Sequence, residues 1–379
     1  MIAEKLEIYD FRNIAEAVIR FSPGVNVLVG DNAQGKTNAL EAIYLFAEGK
    51  SFRAKSEREL IRFGTKMGGA RLTAFIGGSR VESLAMQYFA DERDNVRREP
   101  LRNAVKVKKI GDMVGIFRAV LFCPEHLALV KGGPGERRSF LDIAISQLKP
   151  VYLRTLQKYC AILAERNKLL KDARDDRAVF DATNELWAEQ LAECAAYITV
   201  TRAGYIDSLD KITKKNFADM TKDREHPEIL YKPSAGFDTD ATDEAAVKER
   251  YFQLYTGFSD REISAGVTLF GVHRDEVAIN LDSKEARLYA SQGQDRSIAL
   301  AMKLSEGELS ERYSGDPPVF LFDDVMSELD AGRRDYLMER FSGRQIIMTS
   351  CEPEFFRGRK VNIINVKDGT YTPEEVYPE

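Results

Sequence analysis

The feature that most constrains this chain is a strand, a glycine-bounded loop and a helix in immediate succession. Val25-Asn26-Val27-Leu28-Val29 reads as a buried strand. It runs into Gly30-Asp31-Asn32-Ala33-Gln34-Gly35-Lys36-Thr37, a full match to GxxxxGK[ST]. A helical pattern follows, with Leu40, Ile43, Tyr44 and Ala47 on one face. The glycines let the backbone curl so that successive N–H groups point inward at phosphate oxygens. The helix N-terminus adds partial positive charge. In such a loop the lysine, here Lys36, reaches the β- and γ-phosphates, and the hydroxyl of Thr37 ligates Mg²⁺. The chain must therefore contain an α/β nucleotide-binding sheet.

The second half of that site lies at the other end of the sequence. Val319-Phe320-Leu321-Phe322-Asp323-Asp324 is an apolar strand ending in two carboxylates, the Walker B arrangement. The first aspartate serves Mg²⁺ and the next polarises the attacking water. A compact P-loop enzyme holds these two motifs much closer in sequence, so the residues between them are read as a lobe inserted into an ATPase fold. The helical pair between 150 and 222 is the candidate: Leu153, Leu156, Cys160, Leu163 and Leu170, then Trp187, Leu191, Cys194, Ile198, Tyr205, Leu209 and Ile212, recur at helical spacing. Between the lobe and Walker B stands Ser291-Gln292-Gly293-Gln294, immediately before a helix predicted over 294–311. A serine hydroxyl and a glycine amide at a helix N-terminus form a second anion site. One chain cannot easily bring two such helix ends to one γ-phosphate, but two copies can.

Composition narrows the class. The 379 residues suit two or three domains. No apolar run approaches the roughly 18 residues of a membrane helix, and no secretory h-region is visible, so a cytoplasmic protein is expected. The four cysteines lack CxxC spacing and read as small buried hydrophobes. The three histidines are dispersed, which argues against a clustered zinc or di-iron site. A net charge of −5 argues against indiscriminate nucleic-acid binding but leaves room for a local basic patch. Further strands are expected over 70–109, at Ala119–Phe122, Gly266–Phe270, Val277–Leu281, Gln345–Met348 and Val361–Val366. Asp238–Asp243 reads as an acidic turn.

These elements resemble the head of the SMC and ABC ATPase class, and within it the RecF family over nearly the whole chain. The shared stretches are Asp10-Phe11-Arg12-Asn13, the P-loop through Tyr44, Lys50-Ser51-Phe52-Arg53, Gly132 to Asp142, Ala164-Glu165-Arg166-Asn167, His273-Arg274-Asp275, the SQGQ run, and Asp323 to Asp330. The resemblance implies an α/β, ABC/SMC-like head built from both chain ends, over 1–110 and 263–379, with an inserted, mainly helical arm lobe over 111–262. It implies ATP and Mg²⁺ as cofactors, bound by Arg12, Gly30 to Thr37 and Asn38. Ser291, Gln292, Gly293 and Gln294 would be the signature acting in trans, and Ser327, Glu328, Leu329 and Asp330 the D-loop along a dimer seam. Asp323 would be the metal-side residue. Asp324 stands where the class has glutamate, and its shorter reach implies slow hydrolysis.

The resemblance also implies an ATP-dependent homodimer that clamps duplex or gapped DNA. RecR and RecO type mediators and a RecA-type recombinase would be its partners in the nucleoid. Arg53, Lys55, Arg58, Arg62 and Lys66 are the candidate DNA contacts, through the phosphate backbone. Departures from the family are Ala33, where glycine is common, Val272, where proline is common, and Thr349-Ser350, where ABC proteins carry a histidine. Competing readings are another SMC-like repair or defence ATPase, which would carry longer arms or a nuclease; an ABC transporter motor, which would keep its Walker motifs close; and a small-molecule kinase.

Overall fold

The computed structural model describes residues 1–65, 69–77, 81–93, 95–236, 243–341, 343–356 and 358–374, with the side chain of residue 328 excepted. The chain divides into two compact units, Met1–His126 with Glu306–Glu379, and Leu127–Ser305. The first unit is thus built from both chain ends.

Its central sheet has six strands in the order Thr370–Pro373, Asn362–Lys367, Val25–Val29, Ile346–Ser350, Val319–Phe322 and Ala119–Phe122. All pair in parallel except the first, which is an antiparallel edge. Val319–Phe322 is apolar and buried throughout, as a parallel strand covered on both sides must be. Two buried amides tie the termini together. Gln345 accepts from the Ala3 N–H at 2.7 Å and donates to the Ala3 carbonyl at 2.8 Å. Asn26 donates to the carbonyls of Ser22, Gly24 and Ile346. Buried amides are stabilising only when satisfied in this way.

The helix Lys36–Glu48 buries the predicted stripe and more, since Ala39, Leu40, Ile43, Leu45 and Phe46 are all enclosed. Gly49 ends it in the left-handed region, φ 82°, with its N–H on the Leu45 carbonyl. A second, wholly antiparallel sheet runs Ile14–Arg20, Ile2–Phe11, Arg71–Gly77, Glu82–Ala90, Val96–Arg102 and Val105–Lys106. Its far strands, Val96–Arg102 and Val105–Lys106, carry several Lys and Arg residues, and there Arg102 pairs with Glu82 and Lys106 with Glu99.

The second unit carries the predicted helical pair, Pro150–Asp172 and Ala178–Thr221. Around it stand the helices Pro134–Leu148, Glu244–Gly257 and Ser259–Ala265 and a three-stranded antiparallel sheet containing Pro227–Lys232 and Glu276–Leu281. Arg202, 1 % exposed, is the hub of a buried polar network. It donates to Asp142 and Asp275 and to the Val272 carbonyl. Tyr231 donates to Asp275, and Tyr152 to Asp142 at 2.5 Å. Arg138 donates to the Asp275 carbonyl, and Arg137 pairs with Glu276. Arg166 pairs with Glu262, both fully buried, and donates to Thr268 and the Tyr255 carbonyl. Three of the family-like stretches therefore converge on one internal network, which is costly to leave half satisfied. His273 belongs to it, against Tyr159 Oη at 2.6 Å. Burial pushes its pKa down to about 4, so it is neutral at pH 7.

Several expectations change. The unit boundaries fall at 126/127 and 305/306 rather than at 110 and 262. Ala119–Phe122 pairs with Val319–Phe322, which extends the first unit. At the other end, Asp295 and Ser305 bond to Lys131 and Asn216 of the second. Gly266–Phe270 is not a strand. Its Thr268 N–H is taken by Asn167 and its Leu269 N–H by Glu262, so side chains occupy the donors a neighbouring strand would need. Pro227–Lys232 and Glu244–Gly257 are a strand and a helix that periodicity did not reveal. Residues 238–242 of the acidic turn lie outside the described residues, and Asp243 caps the following helix. Of the cysteines only Cys123 and Cys194 are buried; Cys160 and Cys351 are exposed.

Candidate nucleotide site

The site forms at the carboxyl ends of three adjacent parallel strands, where open α/β sheets bind ligands. Val25–Val29 delivers the loop, Val319–Phe322 delivers the aspartates, and Ile346–Ser350 lies between them. Two residues of the loop need a left-handed backbone, Gly35 at φ 115° and Ala33 at φ 64°. Glycine suits the first without strain; alanine at the second carries a modest steric cost. Gly30 is required for a different reason, because a Cβ there would stand 2.2 Å from the Val366 carbonyl oxygen. The loop is strapped from the C-terminal strands. Tyr371 donates to the Gly35 carbonyl, and the N–H groups of Asp368 and Gly369 bond to Gln34. Asn38 donates to Asn13, which reaches the Ala33 carbonyl.

Lys36 is buried and folds back over its loop, donating to the carbonyls of Gly30 and Asp31. Its Nζ also lies 3.2 Å from Cys351 Sγ, which in turn contacts Asn32 Oδ1 at 3.1 Å. Asp31, Asn32 and Ala33 are exposed at the rim. Thr37 Oγ1 donates to Asp323 Oδ1 at 2.8 Å, so the two halves of the split motif meet. Burial pushes the Asp323 carboxyl above the ordinary range, against the hydrogen bonds of Thr37 and Thr349. A hydroxyl and a carboxylate side by side are the hard oxygen donors Mg²⁺ takes while keeping most of its waters. Thr37 and Asp323 would hold the ion, which supplies charge neutralisation at the phosphates. No group of three or more metal-ligating side chains occurs among the described residues.

The cleft has a volume of about 250 Å³ and is walled by residues 32–38, Arg53, Asp323, Asp324 and Thr349. Asn38 also lines an adjoining cleft of about 570 Å³ with Arg12, Asn13, Arg58, Glu59, Ile61 and Phe63. Between the two sits Glu41, fully buried on the P-loop helix. It accepts from Arg12 at 3.0 and 2.7 Å, from Arg53 at 2.8 Å and from Ser51. Burial alone would raise its pKa, but Arg12, Ser51 and Arg53 together hold it below the usual carboxylate value.

The remaining candidates separate. Arg53, expected on an open basic face, bonds to Asn38 and Glu41 at the cleft. Arg58 lines the adjoining cleft, while Lys55 and Arg62 are exposed, Arg62 near Asp10 at 3.7 Å. Lys66 lies outside the described residues. Ser291 to Gln294 open the helix Gln292–Ser314. The Ser291 N–H donates to Gln294 Oε1 at 2.7 Å, and the Gln294 N–H faces Ser291 Oγ at 3.4 Å, a reciprocal capping box. Ser291, Gln292 and Gly293 are exposed, and a Cβ on Gly293 would meet nothing within 4 Å. In the stretch 327–330, Ser327 donates to the Asp324 carbonyl, Leu329 is buried, and Asp330 caps the helix Ala331–Arg340 by accepting from Arg333. Sequence reasoning missed Glu41, Cys351 and the bonding role of Thr349. Only Glu41 left a signal, four residues beyond Thr37 and so on its helical face.

The sequence matches the RecF/RecN/SMC N terminal domain over residues 2–371. The DNA replication and repair protein RecF of Acetivibrio thermocellus is 36 % identical over 360 residues, covering 95 % of each chain. The protein of that name from Ligilactobacillus salivarius is 35 % identical over 383 residues, covering 100 % of this chain and 99 % of its own. Among solved structures, a RecF–ATPrS complex described as the recombination mediator protein in the RecFOR pathway matches with a TM-score of 0.89 at 32 % identity over 98 % of both chains. The Smc head domain of Pyrococcus furiosus, at TM-score 0.56 and 17 % identity, shares the fold alone. With its P-loop, its distant Walker B strand and its full-length likeness to these proteins, the chain belongs to the RecF family of SMC-type ATPase heads.

Proposed function

We propose that this chain is an ATP-driven DNA clamp of recombinational repair. ATP would sit with its phosphates in the P-loop cleft and Mg²⁺ on Thr37 and Asp323. The base would occupy the adjoining cleft of Ile61 and Phe63, since Asn38 borders both spaces. Arg12 and Arg53, gathered on Glu41, would stand at the join and serve the nucleotide rather than DNA. Two copies would close over two such sites, each presenting Ser291 to Gln294 to the γ-phosphate bound by the other, with residues 327–330 along the seam. Closure would gather basic side chains, among them Lys55 and Arg62, onto duplex or gapped DNA. Hydrolysis, with Asp324 polarising the water, would release it. Slow turnover suits such a switch. RecR and RecO type mediators and a RecA-type recombinase are the partners this reading takes from the RecFOR pathway named for the solved relative.

The observation that carries the reading is the exposed N-terminus of the helix Gln292–Ser314, where Ser291 caps Gln294. The N–H groups of Gln292 and Gly293 precede the first intrahelical acceptor, and the small, exposed Ser291 and Gly293 leave room for a phosphate from another chain. Fluorescence anisotropy on a gapped duplex tests it. With ATP and Mg²⁺ the wild type should bind, with a salt-dependent affinity, and Lys36→Ala should not. Equal binding with and without nucleotide would contradict the clamp.

A further inference from the structure

Thr349 lies on Ile346–Ser350, the strand between the P-loop strand and the Walker B strand, and is 1 % exposed. Its Oγ1 donates to Asp323 Oδ1 at 2.8 Å. The same oxygen accepts the backbone N–H of Asp324 at 2.8 Å. Thr37 donates to the same Asp323 Oδ1. Asp324 is held at φ 51°, a left-handed backbone that aspartate tolerates better than longer side chains do.

A hydroxyl has one proton and two lone pairs, so this arrangement has a direction. The proton is committed to Asp323, and a lone pair receives Asp324. Two donors on one carboxylate oxygen fix the rotation of Asp323. The acceptor fixes the backbone turn that aims Asp324. Remove the hydroxyl and Asp323 keeps only Thr37, while the Asp324 N–H loses its partner inside a mostly buried turn.

We propose that Thr349 is a positioning residue for ATP hydrolysis, its hydroxyl locking the two Walker B aspartates into one unit. It acts through both carboxylates and needs no contact of its own with nucleotide or ion. The proposal rests on the ATPase reading above. It also gives this position on the strand Ile346–Ser350 a task other than γ-phosphate sensing.

The test compares wild type, Thr349→Val, which keeps shape but loses the hydroxyl, and Thr349→Ser, which keeps the hydroxyl. Three quantities are read: kcat and KM for ATP, the Mg²⁺ concentration giving half the rise in melting temperature with a non-hydrolysable ATP analogue, and ATP affinity in EDTA. Displacing a residue that orients a metal ligand costs roughly 10–100-fold in activity or metal affinity. Thr349→Val should therefore lose kcat by about that factor and shift the Mg²⁺ midpoint upward by about tenfold, with metal-free ATP affinity unchanged. Thr349→Ser should restore both to within about threefold. The proposal is overturned if Thr349→Val keeps wild-type kcat and Mg²⁺ midpoint. It is equally overturned if both variants lose metal-free ATP affinity and melting temperature together, which marks a purely structural residue. Absence of Mg²⁺-dependent turnover in wild type would instead overturn the ATPase reading.

Discussion

Glu41→Gln removes the charge on which Arg12 and Arg53 converge while keeping the side chain's shape. The carboxylate is fully buried, and its guanidinium partners lie at 2.7 and 2.8 Å with side-chain exposures of 19 % and 32 %. Breaking a wholly buried pair costs about 3–5 kcal/mol. Both arginines keep some access to water, so we expect the lower part of that range, about 3 kcal/mol. A unit of some 200 residues melts about 2–4 °C lower per kcal/mol, which gives a fall of roughly 6–12 °C by differential scanning fluorimetry. The pH dependence has a definite sign. The folded carboxyl lies below its ordinary 4.5, so its contribution is present above that pH and is lost as pH falls through the folded value. The melting gap between wild type and Glu41→Gln should hold steady from pH 8 to pH 5.5 and close only below about pH 4.5. ATP affinity should fall with it, since both arginines border the clefts. An unchanged melting temperature, or a gap that closes between pH 7 and 6, would refute the argument.

Gly30→Ala drives a Cβ to 2.2 Å from the Val366 carbonyl, a backbone atom that cannot swing aside. It should destabilise the first unit by about 1–3 kcal/mol and weaken ATP binding, measured by denaturant melts and calorimetry. In the second unit, His273 stays neutral down to about pH 4 while the unfolded chain takes up a proton near 6.5. Stability should therefore drop as pH falls from 6.5 towards 4, by up to roughly 3 kcal/mol. Urea melts of wild type and His273→Gln should diverge in that window, and parallel pH profiles would show the histidine uninvolved.

What was legible in the sequence is what obeys local rules. Gly30 to Thr37 is contiguous, its strand and helix announce themselves by period, and Asp323-Asp324 closes an apolar run. The chain distance between them implied the insertion, and the helical pair duly occupies the second unit. The rest depends on partners that spacing does not encode. Thr349 matters because folding sets its strand beside Val319–Phe322. Cys351 read as a buried hydrophobe, yet it meets Lys36 across almost the whole chain. Arg53 read as a DNA contact because Lys and Arg neutralise phosphates, and its bonds to Asn38 and Glu41 at the cleft were not visible in spacing. His273-Arg274-Asp275 and the arginines of 137–138 had no visible chemistry because their role is collective, in the network around Arg202. Gly266–Phe270 has strand composition, and Asn167 and Glu262 take its donors instead.

The central claim is that two chains complete each ATP site. Light scattering without nucleotide and with ATP–Mg²⁺, on wild type and Ser291→Arg, tests it most directly. Ser291 is exposed at a helix N-terminus, so arginine there should cost about 1 kcal/mol of helix capping yet leave the fold and ATP binding intact while blocking a partner's phosphate. The account predicts that ATP–Mg²⁺ doubles the mass of wild type and leaves Ser291→Arg monomeric. A wild type that binds ATP and remains a monomer, or a variant that dimerises as readily, would contradict it.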